Sequence, residues 1–233
     1  MAHAVGRVVG LWRYPVKSMG AEPLDAVDVS WHGLAGDRRW AFVRPDMERS
    51  GFPWLTIREH AALWRYRPWF AEADRPDASV TMVTTPAGDD YDVVDPALAA
   101  ELGAGVRVIK QNCGVFDTMP LSLLTTQSVA AVGDAAGVPL DALRFRPNLV
   151  VDADEPFAED AWVGHVVRIG GMRMRVDKRD QRCVMINVDP ATTVREPAVL
   201  RTVARDRQAC LGVYGSTVAP GRVAVGDAVV LEA

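Results

Sequence analysis

The chain has 233 residues, 49% of them hydrophobic and 24% charged, enough apolar surface for one large core or two interlocked lobes. A formal net charge of −4 gives no global field for nucleic acid or anionic lipid, so any anion site must be local. Three cysteines without C-x-x-C spacing, and four histidines without H-x-x-x-H or H-x-H spacing, argue against a disulfide framework, a cysteine-rich zinc site, an iron–sulfur cluster and a histidine metal site.

The opening MAHAVGRVVGLWRYPVKS holds only a short apolar run, Val8 to Trp12, broken by Gly10 and followed by Arg13. It fits neither a signal peptide nor a membrane span, and the expectation is a cytoplasmic protein. Val5 to Trp12, Ala26 to Ser30, Arg39 to Val43 and Leu55 to Arg58 are short, rich in β-branched and aromatic residues and separated by Gly, Pro or Asp, which predicts strands. The aromatic and arginine mixture LWRYRPWF, with six of the seven tryptophans lying before residue 70, reads as a half-buried strand with snorkelling arginines rather than a stacking platform for single-stranded nucleic acid. Val80 to Thr84 followed by PAGDDYDVV predicts a hairpin through Gly88.

DPALAAELG predicts a helix with Asp95 as its N-cap, Pro96 in the first turn and Gly103 at its end. A second helix is expected over 126–136, stopped by Gly137. RFRPNLVVDA turns into a strand at Asn148 to Asp152, because Arg146, preceding Pro147, is pushed out of the α region. Val166 to Ile169 and Met172 to Val176 form a hairpin through Gly170-Gly171, Glu196 to Arg205 fits a last helix and Arg222 to Leu231 a last strand. The sum is a β-rich α+β chain with a few short helices, built around barrels, with its seam between Lys110 and Pro120.

Four segments could carry chemistry. In YPVKSMG, Lys17 is one of only three lysines and stands with Ser18 beyond a strand, suited either to a phosphate or carboxylate or to a solvated turn. GLAGDRRWAFV leads two glycines into Asp37, Arg38 and Arg39, suited to close approach of an anion or to a simple Asp–Arg pair. RFRPNLVV sets Arg144 and Arg146 on one side of a local extended chain, before Pro147 and Asn148, as an anion site or a charged turn. DKRDQRCVMINVDP puts Cys183 after Lys178, Arg179 and Arg182, cations that favour a thiolate, which is the nucleophile and the soft-metal ligand. The plain alternative is a small apolar residue in a strand, the role expected of Cys113 and Cys210.

Read in order, YPVKS, GDRRW, TIRE (Thr56 to Glu59), DTMPLSLLT (Asp117 to Thr125), FRPN (Phe145 to Asn148), FAEDAW (Phe157 to Trp162), RCVMINVDP and VGD (Val225 to Asp227) resemble the MOSC proteins. The resemblance is nearer to the branch that includes the mitochondrial amidoxime reducing component and its bacterial relatives, and it runs from about Val5 to Leu231. It implies a MOSC-type β-barrel with an N-terminal β-barrel lobe, residues 1–112 and 113–233, binding the molybdenum cofactor (Mo-molybdopterin).

In that reading Cys183 is the metal ligand and catalytic centre. Lys17, Ser18, Arg38, Arg58, Thr125, Ser128, Arg146, Asn148 and Arg182 join it as cofactor contacts, and Asp117 belongs to the same pocket. The implied activity is reduction of small N-hydroxylated or N-oxide molecules. Electrons would come from an external ferredoxin-, flavodoxin- or cytochrome b5-type donor with its reductase, without nucleic acid or membrane. The alternatives are sulfur transfer through a Cys183 persulfide, or cofactor binding without turnover.

Three departures from the family pattern bear on this. No arginine-rich insertion precedes DTMP, which leaves substrate choice open; no ferredoxin domain follows the last strand, which implies a separate donor; and Gln181 stands where animal relatives carry a smaller hydroxyl residue.

Overall fold

Seven strands close on themselves. Around the ring they are Leu149–Asp152, Leu121–Thr125, Cys210–Ala219, Met172–Gln181, Val166–Ile169, Ala228–Glu232 and His3–Arg13, which pairs back onto Leu149–Asp152. Only the seam between Leu121–Thr125 and Leu149–Asp152 is parallel. A parallel seam needs a crossover, and helix Thr126–Ala136 lies within it. Closure leaves the ring no open edge. The computed structural model describes residues 2–47 and 49–232.

Alternation along the strands sends Leu11, Leu121, Leu123, Val151, Val167, Met174, Val213 and Val229 into one buried cluster. A second cluster joins helices Thr126–Ala136 and Pro197–Arg207, through Val129, Val132, Val199 and Val203, to Leu124, Phe145, Val150, Ile186 and Leu211. Ile186 matters for the site because it anchors the turn that follows Cys183. Gly212 is equally constrained: its φ is +72°, and a Cβ there would lie 2.7 Å from the carbonyl oxygen of Leu123.

The chain forms two compact units. The barrel unit takes the chain up to Trp12, Pro23–Ala35 and everything from Asp117 onward; the other takes Arg13–Glu22 and Gly36–Phe116. The barrel unit therefore recruits its first strand from the far N-terminus, so the two units are not consecutive halves of the sequence. The second unit carries an antiparallel pair, Trp40–Val43 with Arg107–Lys110, and a three-stranded meander of Arg67–Phe70, Thr81–Thr84 and Asp90–Asp92. Its helix Pro96–Leu102 is capped as expected, with Asp95 Oδ1 accepting from Ala97 N at 2.8 Å.

Several elements differ from expectation for local reasons. Leu55 to Arg58 is not a strand but runs into the turn Ile57 to Glu59: Thr56 and Glu59 form a capping-box pattern, Thr56 Oγ1 donating to Glu59 at 2.6 Å and accepting from Arg58 N at 3.2 Å. The first half of LWRYRPWF lies in the 3₁₀ turn Ala61–Arg65, and only Arg67–Phe70 is strand. Arg222 to Leu231 is two strands, Gly221–Ala224 and Ala228–Glu232, because Gly226 is left-handed and Asp227 Oδ2 accepts from Ala224 N at 2.8 Å. Cys113 is exposed in a bend, not packed in a strand. Among the described residues no helix is long and apolar enough to cross a membrane.

Candidate functional site

Strand Met172–Gln181 delivers Cys183 to the lip of an open cleft of about 400 Å³. The ladder pairs Gln181 with Cys210, and Arg182 N donates to Ala209 O at 2.7 Å, so the two strand ends arrive side by side and both Cys183 and Cys210 line the cleft. Gln208 and Ala209 hold left-handed backbone, φ +57° and +60°, in the turn that delivers Cys210. Cys210 is therefore a half-buried wall of the cleft, a correction to its expected role as core filler.

The three cations before Cys183 have different fates. Arg182 is almost wholly buried: Nε donates to Leu211 O at 2.8 Å, Nη1 to Phe145 O at 2.7 Å, and Nη2 lies 2.8 Å from Asp180. Arg179 spans Asp160, the Gln208 side chain and Arg207 O. Lys178 is exposed and, among the described residues, makes no hydrogen bond or ion pair. Two of the three charges thus brace the backbone around the cysteine, and one faces the cleft.

The chain after Cys183 is pinned as well. It enters the 3₁₀ turn Val184–Asn187, whose Ile186 and Asn187 carbonyls accept from Arg144 Nη1 at 3.3 and 3.0 Å, while Arg144 Nη2 meets Asp189 at 2.8 Å. Arg144 and Arg146 do not share an extended chain. Arg144 sits in the 3₁₀ turn Ala142–Phe145 and clamps the cysteine loop, whereas Arg146 is left-handed at φ +54°. Arg146 did leave the right-handed α region as its following proline requires, but toward positive φ. Asn148 is buried, its Oδ1 accepting from Ser122 N and its Nδ2 donating to Trp12 O, both at 3.2 Å.

Thr125 and Ser128 are fully buried at the start of helix Thr126–Ala136. Their hydroxyls donate to Glu159 Oε2 at 3.0 and 2.9 Å, and Ser128 Oγ also accepts from Phe157 N at 2.7 Å. Burial holds the Glu159 carboxyl above the ordinary carboxylate range, against the hydrogen bonds from Ser128 and Thr125 that pull it down. The folded chain then keeps a proton that the unfolded chain releases, so stability falls as pH rises from the unfolded value through the raised folded one. Urea unfolding at about pH 4 and about pH 8 should show the wild type losing stability relative to Glu159→Gln at the higher pH; an unchanged difference contradicts this. Sequence reading passed over Glu159 although FAEDAW contains it, since only the fold brings it to residues 125 and 128.

In the other unit the cations Lys17 and Arg58 lie by the ring of Phe52 and Arg38 by that of Tyr14. Lys17 is buried, Nζ donating to Val115 O at 2.9 Å and standing 5.6 Å from the Phe52 ring centre; the Arg58 guanidinium is 4.8 Å from that same ring. Arg38 pairs with Asp37 and stacks 4.6 Å from Tyr14, whose backbone N donates to Asp37 Oδ1 at 2.8 Å. Ser18 and Arg38 are left-handed, φ +68° and +49°, so three of the ten candidate residues, counting Arg146, hold backbone that non-glycine residues rarely adopt. Asp117 is exposed in the loop before Leu121.

Residues 110–230 match the MOSC domain and residues 5–112 the MOSC N-terminal beta barrel domain, and the chain belongs to the MOSC family. A molybdenum cofactor sulfurase of Drosophila mojavensis is 28% identical over 85% of this chain and 30% of its own length. Mitochondrial amidoxime-reducing component 1 of Homo sapiens is 30% identical over 52% of this chain and 40% of its own length. The chain thus spans well under half of these curated relatives. The crystal structure of the YUAD protein from Bacillus subtilis shares the fold, with a TM-score of 0.54 at 13% identity over 99% of this chain and 96% of that one.

Proposed function

We propose that the chain is a molybdenum-cofactor enzyme that reduces small N-hydroxylated molecules at Cys183, taking electrons from a separate protein donor. The observation that carries this reading is the Cys183 cleft itself: a half-exposed thiol, a cationic wall and, among the described residues, no carboxylate in the lining. Its volume, about 400 Å³, lies within the range of small-molecule sites. That donor set fits a soft metal carried by an anionic pterin, because a thiolate is the ligand such a metal takes and the cleft presents no negative side chain to oppose the cofactor.

When bound, the molybdenum cofactor supplies the oxygen-transfer chemistry, N–OH plus two electrons and two protons giving N–H and water. The chain's residues have other tasks. Cys183 provides the sulfur. Arg182 and Arg144 hold the backbone on either side of it through the carbonyls of Leu211, Phe145, Ile186 and Asn187. Gln181 and Tyr214 wall the space a substrate would fill. Arg146 and Asn148 remain proposed cofactor contacts; within the other unit Lys17, Ser18, Arg38 and Arg58 are proposed anion contacts, and the cations collected around Phe52 support that role. For Thr125 and Ser128 the bonds to Glu159 favour an indirect part, fixing the start of their helix.

Protein made in a host that synthesises the cofactor should contain molybdenum and molybdopterin in about equal amounts and reduce benzamidoxime with a chemically reduced donor. Stoichiometric cofactor with no turnover of any N-hydroxylated compound would leave a binding protein instead. A second reading has its own support, since the molybdenum cofactor sulfurase of Drosophila mojavensis aligns with 85% of this chain and the reducing component of Homo sapiens with 52%. In it the Cys183 thiolate takes the outer sulfur of a donor persulfide, releasing the donor thiol, and an acceptor nucleophile then takes that sulfur and returns Cys183 as thiolate. A mass gain of one sulfur on Cys183 in pterin-free protein would favour that reading.

A further inference from the structure

We propose that Lys178 makes the Cys183 cleft selective for substrates that carry an anionic group, such as a carboxylate, phosphate or sulfonate beside the N–OH. The substrate part of this statement rests on the proposed reductase reading; the charge role of Lys178 does not.

The charges at the cleft are used in different ways. Arg182 spends its guanidinium on two carbonyls and Asp180, and Arg179 spends its own on Asp160, Gln208 and Arg207. Neither can turn to a ligand without abandoning those partners. Lys178 lines the same cleft, is exposed and has no partner among the described residues. The nearest acid in sequence does not answer it: Asp177 is taken by Arg175 at 2.5 Å and by Ser216 at 2.7 Å. Among the described residues no Asp or Glu lines the cleft.

The position is also well fixed. Lys178 stands opposite Tyr214 in the ladder, and Cys183 lies five residues further on, just past the strand's end at Gln181, so the backbone fixes where the lysine side chain starts relative to the thiol. A lysine ammonium has three rotatable donors on a flexible stem. That suits anionic groups of varied shape better than a fixed guanidinium fork does. Attraction across an open cleft is screened by salt, which gives the role a signature that packing would not.

The test uses full-length, cofactor-free protein and reads alkylation of Cys183 by peptide mass spectrometry, with anionic iodoacetate and neutral iodoacetamide. Both reagents need the thiolate, so their rate ratio cancels any change in thiol ionisation. At low ionic strength the iodoacetate-to-iodoacetamide ratio should be about 3- to 10-fold higher in wild type than in Lys178→Gln, retained in Lys178→Arg, and nearly equal in all three at about 0.5 M NaCl. Equal ratios in wild type and Lys178→Gln at low salt would overturn the proposal. In the loaded enzyme, Lys178→Gln should raise KM about 10-fold for a carboxylate-bearing benzamidoxime at unchanged kcat, and leave the neutral parent within about twofold. If no benzamidoxime turns over while the alkylation ratio responds, the reductase reading fails and the charge role of Lys178 stands. If both substrates turn over but Lys178→Gln treats them alike, the selectivity fails and the reductase reading stands.

Discussion

Replacing Cys183 with serine is expected to bring reduction of N-hydroxylated substrates down to background. Loss of a partner that merely orients a metal ligand costs roughly 10- to 100-fold, and removal of the ligand itself should exceed that. The substitution exchanges sulfur for a poorly ionised hydroxyl at a half-exposed position, so it leaves the buried clusters and the strand ladder in place. A circular dichroism spectrum and melting temperature close to wild type should accompany the lost activity. Activity retained at equal molybdenum loading would remove Cys183 from the chemistry.

Arg182→Ala is expected to be the most damaging substitution for stability. The wild-type guanidinium, 7% exposed, serves Leu211 O at 2.8 Å and Phe145 O at 2.7 Å and lies 2.8 Å from the carboxylate of Asp180, itself 1% exposed. Truncation strands two carbonyls and withdraws the cation beside a buried acid, a loss of about 3–5 kcal/mol. Arg182→Lys keeps the charge without the three-way reach and should fall between the two. Urea unfolding of cofactor-free protein is the decisive form of the measurement. A large loss there assigns Arg182 to the framework that positions Cys183, and a loss seen only with cofactor bound would make it a direct cofactor contact.

What could be read in advance divides along physical lines. Helix Thr126–Ala136 and the Asp95-capped helix Pro96–Leu102 were legible to the residue because caps and glycine stops are local signals. The failures are also local in origin. TIRE holds both strand-forming residues and a Thr-x-x-Glu cap, and the cap prevailed through two short hydrogen bonds. Strand Cys210–Ala219 escaped notice because Gly212 and Gly215 interrupt its pattern, although the fold needs both where another backbone passes close by.

The site was half legible. Clustered cations drew attention to Cys183, yet a linear sequence cannot say which heads are free. The strand pleat and the arrival of Asp160, Phe145 and Leu211 from elsewhere committed Arg179 and Arg182 to the protein and left Lys178 to the cleft. Cys210 and Glu159 joined their neighbours only through long-range pairing, which no spacing rule reports.

The sulfur of Cys183 is proposed to bind molybdenum. X-ray absorption at the molybdenum edge counts the sulfur ligands directly, in wild type and in Cys183→Ser loaded to the same level. The prediction is one fewer sulfur in the variant, with the two dithiolene sulfurs of the pterin remaining. An equal sulfur count in both proteins would contradict it.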